Sequence, residues 1–96
     1  MTYSLKKLHT AFYVGDSGPM SMFIPVTEDG KRYNFDAVEH NARPRVGGSI
    51  RVGSITGRTF AAQDWWQTSL ITEILEERED YVRFKTLNSE YEWERF

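Results

Sequence analysis

The clearest pattern in the chain is an alternation of apolar and charged side chains around Asn88. Arg83-Phe84-Lys85-Thr86 runs into the turn, and Tyr91-Glu92-Trp93-Glu94 runs out of it. Period-2 alternation marks a strand with one buried face. A two-residue loop at Asn88-Ser89 sets Phe84 opposite Trp93 and Thr86 opposite Tyr91 on the inner face. The outer face then receives Lys85 opposite Glu92 and Arg83 opposite Glu94, both favourable cross-strand pairs.

Asp29-Gly30 is the strongest short turn signal. It predicts a hairpin with Glu28 opposite Lys31, Val26 opposite Tyr33 and Ile24 opposite Phe35. Pro25 cannot donate to a ladder, which places it at an edge or a bulge. Gly15-Asp16-Ser17-Gly18-Pro19 predicts a turn between strands over Leu5–Val14 and Met20–Val26, with Phe12 near Met22. Residues 41–48 read as a loop and Ser49–Val52 as a short strand. Residues 53–57 read as a turn, Arg58–Ala62 as another strand, and residues 63–68 as a connection anchored by Trp65 and Trp66.

Ser69–Glu77 fits two periods. Leu70, Ile71, Ile74 and Leu75 share one face of a short helix, with Thr68 or Ser69 as its N-cap. As a strand, the segment pairs with residues 81–86 around Glu77-Arg78-Glu79. Ile74 then meets Val82, Leu70 meets Thr86 and Glu73 meets Arg83. The strong partner strand favours the second reading. It leaves Ile71 and Leu75 pointing away from the Phe84/Trp93 face, as an apolar patch in need of a cover or a partner.

Short strands separated by turns, with at most one short helix, predict an all-β fold. A small antiparallel barrel or sandwich follows, with an SH3-like or OB-like barrel as the first choice. The 96 residues form one domain, with no internal repeat and no dividing linker. The absence of Cys removes disulfides and thiolate metal sites and fits a reducing, cytoplasmic setting. The N-terminal Met1–His9 has neither the apolar run of a signal peptide nor that of a membrane span.

Charge sharpens the picture locally. Net charge is −2, so no global field draws the chain to nucleic acid. Residues 1–58 hold eight basic against five acidic side chains, and residues 59–96 hold four against nine. Arg43, Arg45, Arg51 and Arg58 fall in a stretch with no acid, whereas Glu76-Glu77-Arg78-Glu79-Asp80 is the acidic extreme.

Chemistry-bearing motifs are scarce. His9 and His40 lack metal-ligand spacing, and a solvated histidine explains each. No Gly-x-Ser-x-Gly elbow or P-loop is present, and the glycines between Gly47 and Gly57 suit bulges and strand ends. The acids fall in a turn or on a solvated strand face rather than in a dyad of contrasting environments. The reading is therefore not an enzyme, with no cofactor and no metal. No motif ties the chain to a family.

Two surfaces remain. Trp65, Trp66, Ile71 and Leu75, with Glu76, Glu77, Glu79 and Asp80, form a candidate surface for a protein partner. Two adjacent Trp on an extended segment face opposite ways, so one is exposed. The leading expectation is an interaction module acting as an accessory or inhibitor. The size fits a phage or mobile-element product, such as an inhibitor of a host defence complex. The alternative is a single-stranded nucleic-acid binder, with Arg43, Arg45, Arg51 and Arg58 on phosphates and Trp65 or Trp66 stacking on bases. An edge strand near Pro25, or the last strand, offers a route to a homodimer.

Overall fold

The structure is a computed structural model that describes residues 1–54 and 64–96. Among the described residues, nine strands form two antiparallel sheets. They are β1 (Tyr3–Lys7), β2 (Gly15–Gly18), β3 (Met20–Pro25), β4 (Glu39–His40), β5 (Gly48–Ser54), β6 (Asp64–Gln67), β7 (Ile71–Arg78), β8 (Tyr81–Thr86) and β9 (Glu90–Arg95). The first sheet has the order β2-β1-β9-β8-β7 and the second β4-β3-β5-β6. The only helical element among the described residues is a 3-10 turn at Phe35–Ala37, capped by Asn34 Oδ1 accepting from the Asp36 amide. The expected mainly β architecture holds, as two packed sheets.

The core follows the alternation. The first sheet contributes Tyr3, Leu5, Ile71, Val82, Phe84, Tyr91 and Trp93, and the second Phe23, Ile50 and Val52. Phe84 and Tyr91 stack at 5.6 Å, and Tyr3 lies 5.8 Å from Trp93. The opposite face of β8 and β9 is a charge ladder, with Lys85 across from Glu90, Arg83 from Glu92 and Tyr81 from Glu94. Both faces were legible, yet every partner differs by two positions from the sequence expectation: Phe84 opposes Tyr91, and Trp93 opposes Val82. The turn centres on Leu87-Asn88, because the Thr86 hydroxyl accepts from the amides of Asn88 and Ser89 and fixes the turn one residue earlier. Moving a turn by one residue shifts the register by two, which keeps every side chain on its face.

β7 is a strand, and its face is corrected. The ladder with β8 shifts register between Ile71 and Glu73, and again between Ile74 and Glu76. An extra residue at the first shift turns Ile71 to the same side as Ile74. Ile71 is thus 1 % exposed in the core, not on an outward patch, and Ile74 packs against that core. Ile74 opposes Phe84, and the turn contracts to Glu79-Asp80.

Three further expectations are overturned. Gly15–Gly18 is strand β2 paired to β1, and the turn lies before it, closed by the Lys7 amide donating to the Val14 carbonyl at 2.8 Å. Glycine is needed there because a Cβ on Gly15 would overlap the Leu5 carbonyl oxygen. Gly18 likewise approaches β5, where a Cβ would sit 2.5 Å from the Gly53 carbonyl oxygen. Phe12 is 81 % exposed in the β1–β2 turn, while Met22 faces His40 and Arg51 across its ladders. Residues 64–67 form an edge strand rather than a loose connection, with Trp66 opposite Val52 and Trp65 opposite Gly53.

The Asp29-Gly30 hairpin holds at its base and stops early. Val26 bridges Tyr33, but Phe35 enters the 3-10 turn and Ile24 pairs with Ser49 of β5. The strands expected as free edges are internal. β3, which ends at Pro25, lies between β4 and β5, and β9 lies between β1 and β8. The expected strand Arg58–Ala62 lies outside the described residues.

Candidate functional site

The acidic turn is held by arginines. Glu76 pairs with Arg78 at 2.9 Å, and Asp80 with Arg95 at 2.9 Å. Arg43 Nε lies 3.0 Å from Glu77 Oε2, a charge contact without an aligned hydrogen bond. The Arg43 guanidinium also donates to the carbonyls of Arg78 and Glu79, and its far side covers the Trp93 ring at 5.8 Å. The turn and Arg43 thus close one end of the core, and most of the negative charge there is matched internally.

Arg45 is likewise engaged. It forms a two-pronged ion pair with Glu39 and lies 4.0 Å above the Phe23 ring. The Arg45 guanidinium holds the Glu39 carboxyl below its usual range. Arg51 donates through Nε and Nη2 to Gln67 Oε1 at 3.0 and 2.6 Å and stacks 3.9 Å above Trp65. Gln67 Nε2 in turn donates to Ser49 Oγ at 3.1 Å. Burial under this cluster lowers the Arg51 guanidinium from its ordinary value. The structure does not gather the arginines into one cluster. Arg43 and Arg45 are spent on a turn and a carboxylate, and Arg58 lies outside the described residues.

The two adjacent Trp take opposite faces. Trp65 sits on the outer face under Arg51. Trp66 turns toward the core at the edge of its sheet, where Nε1 donates to the Tyr91 hydroxyl at 3.4 Å and the ring is 37 % exposed. Leu75 is half-buried on β7. The residues expected to form one partner surface are therefore split between the core, the edge of β6 and a neutralised turn. No group of three or more metal-ligating side chains converges among the described residues.

A different place is concave and apolar. A groove of about 190 Å³ lies between the Asp29-Gly30 hairpin and the β8–β9 turn, lined by Val26, Gly30, Lys31, Arg32, Tyr33, Leu70 and Leu87. Backbone bonds fix its walls. The Thr27 amide donates to the Arg32 carbonyl at 2.8 Å, and the Leu87 amide to the Leu70 carbonyl at 3.1 Å. Gly47 joins the walls, accepting from the Val26 amide at 3.0 Å and donating to the Ile71 carbonyl at 3.4 Å. Leu87 stands 66 % exposed beside the groove. A broader depression of about 520 Å³ adjoins it, lined by Thr27, Arg32, Tyr33, Asn34, Phe35 and Asp36. Arg32 and Tyr33 form the shared wall, and Tyr33 meets the exposed Phe35 edge-on at 6.3 Å.

Arg32 in the groove differs from the other described arginines. Arg43, Arg45, Arg51, Arg78, Arg83 and Arg95 all bind a carboxylate, an amide or a carbonyl. Among the described residues, Arg32 is the one arginine whose side chain has no such partner, and the Lys31 ammonium has none either. The nearest acid in sequence, Asp29, is occupied by its own turn. Its carboxylate accepts from the Thr27 hydroxyl and the Lys31 amide, bonds that hold it below its usual range.

Sequence reasoning gave Lys31, Tyr33 and Leu70 only cross-strand partners, Glu28, Val26 and Thr86, and passed over Arg32 and Leu87. The available signal was Leu87 itself, a large apolar residue at a turn position where polar chemistry is the rule. No protein-family model, curated protein or solved structure matches the chain.

Proposed function

We propose that this protein is a non-enzymatic interaction module, an accessory or inhibitor that holds a protein partner at the groove between the Asp29-Gly30 hairpin and Leu87. The observation that carries this reading is the pairing of an exposed apolar groove with Lys31 and with Arg32, the one described arginine whose side chain the fold leaves unpartnered. Protein–protein hot spots favour apolar and aromatic anchors with Arg at their margin, in pockets that exclude water once filled. The groove, of about 190 Å³, suits a single anchoring side chain. The nucleic-acid reading gains nothing from the geometry. Arg43 and Arg45 already hold protein groups, and Arg51 covers the Trp65 face on which a base would stack.

The test is comparative capture from a lysate of the source cell. Proteins retained by the wild type, released by Leu87→Glu and still retained by Phe12→Ser support the reading. A retained set unchanged by Leu87→Glu removes the groove as the site. Both substituted positions are exposed, so both variants keep the fold.

A further inference from the structure

Resting on that reading, we infer that the groove takes an extended acidic segment of its protein partner, with an aliphatic side chain seated between Leu70 and Leu87 and carboxylates on Lys31 and Arg32. Three observations select this chemistry.

The first is charge. Lys31 and Arg32 line the groove and no carboxylate does; Asp36 belongs to the adjoining depression. An unpaired guanidinium beside apolar surface matches a carboxylate with two donors in a fixed fork. Such pairing specifies the partner and speeds encounter even where its net contribution to affinity is modest.

The second is shape. The lining is aliphatic at Val26, Leu70 and Leu87, with Tyr33 as its one ring. A branched aliphatic side chain fills such a space. A nucleic acid offers phosphates for the cations but only flat bases for this lining, and bases stack on broader aromatic faces.

The third is that the densest run of carboxylates in this chain, the β7–β8 turn, is largely engaged within the fold. Glu76, Glu77 and Asp80 pair with Arg78, Arg43 and Arg95 at the β7–β8 turn, and Glu39 with Arg45. Asp29 is held in its own turn. A second copy presenting the β7–β8 turn would have to break those pairs; Glu28, Asp36, Glu73 and Glu94 carry no ion pair among the described residues, and a second copy offering them is the competing occupant that the dimer measurement separates.

The experiment is selection of a displayed library of random short peptides on the intact protein. It is repeated on Leu87→Glu and on the double variant Lys31→Glu/Arg32→Glu, with circular dichroism confirming that each variant is folded. The expected result is enrichment of peptides with acidic residues flanking a Leu, Ile or Val. A labelled winner should bind in anisotropy with an affinity that falls with salt. It should lose about tenfold or more on either variant, which is about 1.4 kcal/mol or more, and still more when its own aliphatic residue becomes Ser. Enriched peptides that are neutral or basic yet depend on Leu87 overturn the acidic occupant and leave the interaction module standing. Enrichment indifferent to Leu87, or no enrichment, overturns the groove as a peptide site. Oligo-dT binding with the same dependence on Lys31, Arg32 and Leu87 overturns the choice of a protein segment. A dimer that Leu87→Glu dissociates assigns the groove to a second copy instead.

Discussion

Trp93 Nε1 donates to Ser21 Oγ at 3.0 Å, joining the centre of one sheet to the second strand of the other through the interior. The same hydroxyl donates to the Ala42 carbonyl at 2.7 Å, so one serine satisfies two buried groups contributed by distant parts of the chain. Neither Ser21 nor Trp93 is exposed. The bond ties the two sheets together across the core. Ser21→Ala leaves the indole N–H and the Ala42 carbonyl without this partner and should cost about 1–3 kcal/mol in urea unfolding. A change near zero would mean that the sheets are aligned by packing alone.

Ile71 and Leu87 should respond in opposite ways. Ile71 is fully enclosed, so Ile71→Ala should cost ~2–5 kcal/mol. Ile71→Glu should unfold a chain whose total stability is of the order of 5–15 kcal/mol. Leu87→Glu should leave thermal unfolding within a few degrees of wild type while removing the partner. Were Ile71→Glu folded and Leu87→Glu unfolded, the bulged register of β7 would be wrong.

Arg43 should matter more than its surface position implies. Its guanidinium donates to two carbonyls of the β7–β8 turn, a fork that lysine cannot reproduce. Arg43→Lys and Arg43→Ala should both lower stability by ~1 kcal/mol. Arg78→Ala, which removes an exposed ion pair with Glu76, should stay near zero. Amide exchange around Asp80 should quicken in the Arg43 variants only.

Stability should fall at both ends of the pH scale for separate reasons. A carboxylate whose folded pKa is depressed contributes above its unfolded value and loses that contribution as pH falls through the folded one. Glu39, held below 4.5 by hydrogen bonding to Arg45, behaves this way, and its exposure keeps the effect small and sensitive to salt. Tyr81 works in the other direction. Burial, and then the hydrogen bond it donates to Glu92 at 2.8 Å, push its phenol from 10.0 to about 12. Its contribution is complete below pH 10 and is lost as pH rises through about 12. Glu39→Gln should flatten the acid limb of the stability profile and Tyr81→Phe the alkaline limb. A limb unchanged by its variant would remove that assignment.

Strand faces were legible wherever a residue's parity alone decides burial. Phe84, Tyr91 and Trp93 turn inward as their alternation requires, and the charged residues between them form the outer ladder. Partners were less legible, because a turn can move by one residue without exchanging faces, and Thr86 moved it through side-chain bonds to the next amides. Ile71 was misplaced because a bulge changes parity inside a strand, and no residue type marks that bulge in β7. β2 was hidden because Gly15 and Gly18 signal a turn equally well, and only their contacts with Leu5 and Gly53 show why a strand needs them. The groove was least legible. Its walls come from Val26, residues 30–33, Leu70 and Leu87, and Arg32 stands out only once the partners of the other described arginines are known.

The most direct measurement places a photo-crosslinking amino acid at position 87 in one variant and at position 75 in another, each irradiated in the source cell. The account predicts a discrete protein adduct from position 87 that disappears with Arg32→Glu, and none from position 75. An adduct from position 75 with none from position 87 would contradict it and return the partner surface to the edge of β7.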